Sequence, residues 1–169
     1  MNTAIIVLRL IHVFSAIFWV GSALTTGFFI SPAVRVTAEA GQKFMGYLVT
    51  QTRLIMAITV SAVLTVLAGI SLYWIDSDGL TSAWMKSGAG IGFGIGGLAG
   101  IISLIVGVIF GKNISALGSI FSQIQGKPTG EQISKLQAIQ KSMAVLGPAN
   151  TIAQVIAVLC MATARYWHL

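Results

Sequence analysis

The chain has 169 residues, of which 56% are hydrophobic and 8% charged, with a net charge of +6. A water-soluble domain carries about a quarter charged residues, so this composition excludes an ordinary soluble fold and makes lipid the expected solvent. A helix crosses a hydrocarbon core about 30 Å thick with roughly 20 apolar residues, so the length allows four crossings with short connections and no separate catalytic domain.

The first apolar stretch covers residues 4–30, and Ser31-Pro32 marks its expected exit from the membrane. A signal peptide is disfavoured there, because no positive charge precedes Arg9, the apolar run is too long, and no small-x-small cleavage site follows. Residues 38–47 read as a short amphipathic helix at the membrane surface. The second span covers residues 54–75 and ends in the acidic turn Asp76-Ser77-Asp78-Gly79, whose residue types favour a tight connection.

The third span covers residues 88–111. Its Gly92-Phe93-Gly94-Ile95-Gly96-Gly97 matches a dinucleotide-binding pattern only formally: no strand precedes it and no acidic residue follows at ribose distance. Close helix packing is the better reading, because Gly88, Gly92, Gly96 and Gly100 recur every fourth residue and leave one face bare, either for another span of the same chain or for a second copy.

Beyond Gly111 the helical pattern continues through Ile114, Leu117, Ile120, Phe121 and Ile124, and the turn Gly126-Lys127-Pro128-Thr129-Gly130 reverses the chain. Thr129 and Gln132 fit a capping box, followed by a second apolar stripe through Ile133, Leu136, Ile139, Met143 and Leu146. The last span covers residues 149–164, with a backward extension past Pro148 left open. It holds the single cysteine, Cys160, so there is no intramolecular disulfide, paired-cysteine zinc pattern or redox dithiol. The expected fold is therefore all-α: one integral membrane domain over residues 1–169, a four-helix bundle with a cytoplasmic helical hairpin extension between spans three and four.

Seven of the ten Lys and Arg residues lie in the loops joining spans one to two and three to four. By the positive-inside rule those loops are cytoplasmic and both termini face outward, which puts Trp74, Trp84 and Trp167 near the outer boundary. The basic residues are spread singly, with no basic run, so the lipid bilayer and not nucleic acid is the expected partner.

Ionisable groups within a span are functional candidates, because their burial in lipid is costly unless they pair or reach the interface. Arg9 and His12 lie three residues apart in the outer half of span one, while Asp76, Asp78, Arg165 and His168 reach the same boundary, where opposite charges are expected to gather. Two readings stand: His12 ligates a haem b iron or a copper ion, with Arg9 and Arg165 available to haem propionates and His168 as the other histidine, or a neutral His12 hydrogen-bonds a neighbouring helix while Arg9 snorkels. Thr59, Ser61, Thr65, Asn150 and Gln154 are expected to hydrogen-bond between helices. With four carboxylates, all at loops or interfaces, no acid and base pair or nucleophile triad can be assembled, which argues against an enzyme.

Leu10-Ile11-His12 with Phe18-Trp19-Val20-Gly21, then Ala40-Gly41-Gln42-Lys43-Phe44-Met45, then Leu64-Thr65-Val66-Leu67-Ala68-Gly69 before Tyr73-Trp74, and Met161-Ala162-Thr163-Ala164-Arg165-Tyr166 together resemble uncharacterised bacterial four-helix membrane proteins akin to the CopD (copper resistance D) group. The resemblance covers nearly the whole chain. It implies a bacterial plasma-membrane protein with a first-span histidine and a Trp-x-Gly step, carried by His12, Trp19 and Gly21. Copper uptake is attributed to the wider group, and similar small proteins with a first-span histidine bind haem. This chain departs from both in lacking methionine or histidine pairs for copper and a second haem ligand outside its tail. The expected role is non-enzymatic: handling a metal or haem at the outer face, carrying electrons through a haem, or serving as a structural subunit in a homodimer or larger membrane complex.

Overall fold

The computed structural model describes residues 3–124 and 127–168, which are helical almost throughout and contain no strand. Helix α1 (Thr3–Thr25) continues through a π-helical turn (Thr26–Ile30) into α2 (Ser31–Val36), and α3 (Ala38–Gln51) leads into α4 (Leu54–Asp76). A 3-10 turn (Ala83–Lys86) precedes α5 (Gly88–Gln123), and α6 (Gly130–Thr163) ends in a 3-10 turn (Ala164–Tyr166). Four of these helical stretches are long and apolar enough to cross a membrane.

The helix of span one does not stop at Ser31-Pro32 as expected but runs to Val36. The π-helical turn just before accounts for this: the Ser31 amide bonds the Thr26 carbonyl five residues back, and Pro32 then sits in the first turn of α2, where a missing N–H is tolerated. The break comes instead at Ala38, whose φ of 48° is left-handed, and α3 extends to Gln51.

Neighbouring helices run antiparallel: α1 packs on α4, α4 on α5, and α5 on α6, while α1 and α6 meet sparsely, around Gly27 and the Thr151 hydroxyl. Thr3, Asp76, Gly88 and Trp167 therefore share one end of the bundle, the tail end. There Asp78 (φ 47°), Gly79 (φ 67°) and Leu80 (φ 68°) make a left-handed turn, in which the Gly79 amide closes on the Trp74 carbonyl at 2.9 Å. Tyr73 donates its hydroxyl to the Gly90 carbonyl at 3.2 Å and meets Trp84 edge-on with centroids 5.3 Å apart, forming an aromatic collar across α4 and α5.

Among the described residues the buried ones are mostly small, including Ala62, Ala68, Ala99, Ser103, Ala153 and Cys160, with Trp19 and Gln154 the large side chains among them. Large apolar side chains such as Phe14, Leu67, Leu98 and Leu159 point outward. This inversion of a soluble core follows from lipid as solvent, where burying Leu against helix gains little over burying it in acyl chains and close backbone approach does.

α5, at 36 residues, and α6, at 34, are each more than 50 Å long at about 1.5 Å per residue, well beyond a hydrocarbon core of about 30 Å. They stay paired beyond that length, with the Asn113 amide donating to the Ser142 hydroxyl at 3.2 Å. The expected capping box opens α6: the Gln132 amide donates to Thr129 Oγ1 and the Thr129 amide to Gln132 Oε1. Of the turn between them Gln125 and Gly126, and of the apolar stripe the Phe121 side chain, lie outside the described residues. Pro148 lies inside α6 without ending it, at the loss of one rung of the ladder to the Ala144 carbonyl.

Candidate ligand site at His12

α1 carries His12 about 14 Å along its axis from Thr3, at 1.5 Å per residue. The imidazole reaches across to α4, with Nδ1 2.7 Å from the Thr65 carbonyl oxygen. A carbonyl only accepts, so Nδ1 is the donor in this bond. The Thr65 carbonyl is also the acceptor for the Gly69 amide one turn on, and its second lone pair takes the imidazole.

Gly69 supplies the room. A Cβ at that position would lie 2.8 Å from His12 Cε1 and 3.1 Å from Nδ1, so the ring occupies the space that any larger residue would fill. The bond to Thr65 is the only one the imidazole makes among the described residues, so Nε2 has no hydrogen-bond partner there. Histidines that ligate metals commonly donate the other ring N–H to a backbone carbonyl in this way, which sets tautomer and orientation. Trp19, two turns on, is buried in the bundle.

Arg9, Asp76, Asp78 and Arg165 are exposed at the tail end, and the expected gathering of opposite charges does not become ion pairing. Among the described residues the salt bridges are Lys43 with Glu39 and Lys135 with Glu131, each at 2.7 Å along one helix. At an exposed end, water solvates each charge and little is gained by fixing two long side chains together.

His168 is exposed, and the tail that carries it is anchored on α5: Trp167 and Ala164 lie where side chains at Gly88 and Gly92 would be, with the Ala164 Cβ 2.8 Å from a Cβ at Gly92. Cys160 Cβ and Met161 Cε sit 3.2 Å from a Cβ at Gly96, so Met161 is part of the same packing. Nothing lies within 4 Å of a Cβ at Gly100. The first three glycines of the stripe thus meet α6 and its tail, and the fourth opens to free space. Among the described residues, no group of three or more His, Cys, Asp or Glu side chains comes together to hold a metal ion.

The remaining polar side chains divide. Ser103 donates to Asn150 Oδ1 at 2.6 Å, joining α5 to α6. Thr59 and Thr65 do not bridge helices as expected; their hydroxyls bond the Ile55 and Ser61 carbonyls of their own turn, a local partner that needs no alignment of two helices. Gln154 is 1% exposed, and neither its amide oxygen nor its nitrogen has a hydrogen-bond partner among the described residues.

This chain matches no protein-family model, no curated protein and no solved structure. The arrangement around His12 must therefore speak through its own chemistry. Sequence reasoning singled out His12 and offered, as one of two readings, a hydrogen bond to a neighbouring helix, which the bond to Thr65 is; it missed Thr65 as the acceptor and Gly69 as the seat. A usable signal was present: Ala62, Thr65, Ala68 and Gly69 form a small-residue stripe at helical spacing on α4, which marks the face another helix approaches.

Proposed function

We propose that this chain is a non-enzymatic four-span protein of the bacterial plasma membrane, akin to the CopD group, that holds a haem through His12 in the outer half of the bilayer. The observation that supports this reading is the seating of His12: Nδ1 donates to the Thr65 carbonyl at 2.7 Å and Nε2 makes no hydrogen bond among the described residues. The donor set fits haem and not copper. Copper needs several soft or imidazole ligands together, whereas the described residues offer no such cluster and Met161 is packed against Gly96. Haem iron can be held by a single axial imidazole.

In this reading His12 would hold the iron, and Arg9 and Arg165, both exposed at the same end and in no salt bridge among the described residues, would be available to its propionates. Thr65 fixes the imidazole tautomer, and the apolar spans keep water away. A bound haem b supplies one-electron transfer. The excess of Lys and Arg at the other end orients that end, with the paired extension of α5 and α6, toward the cytoplasm.

The test is an absorption spectrum of protein purified in detergent from haem-replete cells, with metal analysis on the same sample. A Soret band that disappears in His12→Ala supports the reading; colourless protein removes it. A second reading is favoured by the same bond to Thr65, which ties α1 to α4 whether or not anything binds Nε2. In it the chain is a structural subunit of a homodimer or larger complex, and a colourless protein co-purifies with a defined partner.

A further inference from the structure

Along α1, away from His12, an apolar groove of about 400 Å³ is lined by Ile17, Gly21, Thr25, Ile30 and Leu54. A second groove of about 350 Å³, between α2 and α3, is lined by Ile30, Ala33, Val34, Ala40 and Phe44. Ile30 lines both, so the two halves of this trough adjoin at that residue. The groove is open because its floor is small: nothing lies within 4 Å of a Cβ at Gly21. From Ile17 to Ile30 it extends about 20 Å at 1.5 Å per residue, enough for an acyl chain spanning one leaflet, whose hydrocarbon is about 15 Å deep.

Three cations neighbour the lining residues in sequence: Arg35 follows Val34, Lys43 precedes Phe44, and Arg53 precedes Leu54. All three are exposed. The one carboxylate on α2 or α3, Glu39, is engaged with Lys43 at 2.7 Å. An apolar slot of leaflet depth with cations at its polar end is complementary to a lipid with an anionic headgroup, and a phosphate there meets guanidinium groups that bind it well.

We infer that this trough is the seat of one anionic phospholipid, its acyl chain along α1 between Ile17 and Ile30 and its phosphate among Arg35, Lys43 and Arg53. The seat depends on the chain spanning a bilayer and is independent of whether His12 binds haem.

The test is native mass spectrometry of the full chain, purified in mild detergent and mixed with phosphatidylglycerol or with phosphatidylcholine of the same acyl chains. One phosphatidylglycerol per chain is expected to survive under conditions that strip phosphatidylcholine. Arg35→Gln with Arg53→Gln lowers its retention about fivefold per charge removed. Gly21→Leu, whose Cβ meets nothing within 4 Å and whose branch fills the slot, lowers it to a similar degree while leaving the melting temperature nearly unchanged. Equal retention of the two lipids overturns the proposal. So does a loss in the charge variants without one in Gly21→Leu, which would leave only a charged surface, or a change of oligomeric state in Gly21→Leu, which would give the trough to a second copy.

Discussion

The His12 imidazole lies over Gly69, in the volume that a side chain at that position would occupy, with Cε1 2.8 Å from where its Cβ would stand. The two residues are 57 positions apart in sequence and belong to helices that meet only in the folded bundle. That contact both ties α1 to α4 and leaves Nε2 available.

Gly69→Ala should therefore push the ring off the Thr65 carbonyl. The ring can move away only by giving up its bond to Thr65, so a loss of about 1–3 kcal/mol is expected, the usual range for overpacking. Thermal unfolding in detergent measures it; an unchanged melting temperature would show that the ring moves freely.

His12→Ala removes the bond but leaves no orphan, because the Thr65 carbonyl keeps the Gly69 amide. The expected stability cost is about 1 kcal/mol, typical of polar contacts between membrane helices. A collapse of the fold in this variant, seen by gel filtration, would make His12 a structural keystone and leave its loss of colour uninformative; His12→Gln with its retained amide then separates the two roles.

The glycines of α5 should divide by position. A Cβ at Gly92 already meets Ala164, so Gly92→Leu should separate α5 from the end of α6, costing more than about 2 kcal/mol, while a Cβ at Gly100 meets nothing within 4 Å, so Gly100→Leu should cost far less. Unfolding of the two variants side by side checks this. A Gly100→Leu protein that changes oligomeric state would instead identify that open face as a seam between two copies.

Gln154 carries a buried amide with no partner on either atom. An unsatisfied buried amide costs about 1–3 kcal/mol, so Gln154→Met, of similar volume, should raise the melting temperature. A lowered one would mean that a water or ligand pairs with the amide in the membrane.

Orientation is open to a labelling experiment. Cysteines introduced at Asp78 and Lys127 should react with a membrane-impermeant maleimide from opposite faces, Asp78→Cys from outside intact cells and Lys127→Cys only after lysis. The native Cys160, buried in the bundle, should stay silent in both. Labelling of both sites from one side would refute the four-span threading.

Local patterns carried much of this protein's architecture. Hydropathy marked all four helices that are long and apolar enough to cross a membrane, the Thr129 and Gln132 pair announced the start of α6, and the four-residue glycine repeat marked a close-packing face, because lipid solvent, helix capping and helical periodicity act within one segment. Pro32 misled, since a proline ends a helix only when no neighbouring π-helical turn absorbs its missing donor. The hydroxyls of Thr59 and Thr65 misled as well: composition gives no means of telling a bond to one's own turn from a bond across an interface.

Only the tertiary structure decided which helices touch. The pairing of α1 with α4 set His12 upon Gly69, the pairing of α5 with α6 consumed Gly88, Gly92 and Gly96, and the sparse meeting of α1 with α6 was invisible in any single span. In lipid every apolar face satisfies its solvent equally well, so hydropathy does not choose partners; the fit of small residues against particular side chains does, and that fit exists only once the helices are assembled.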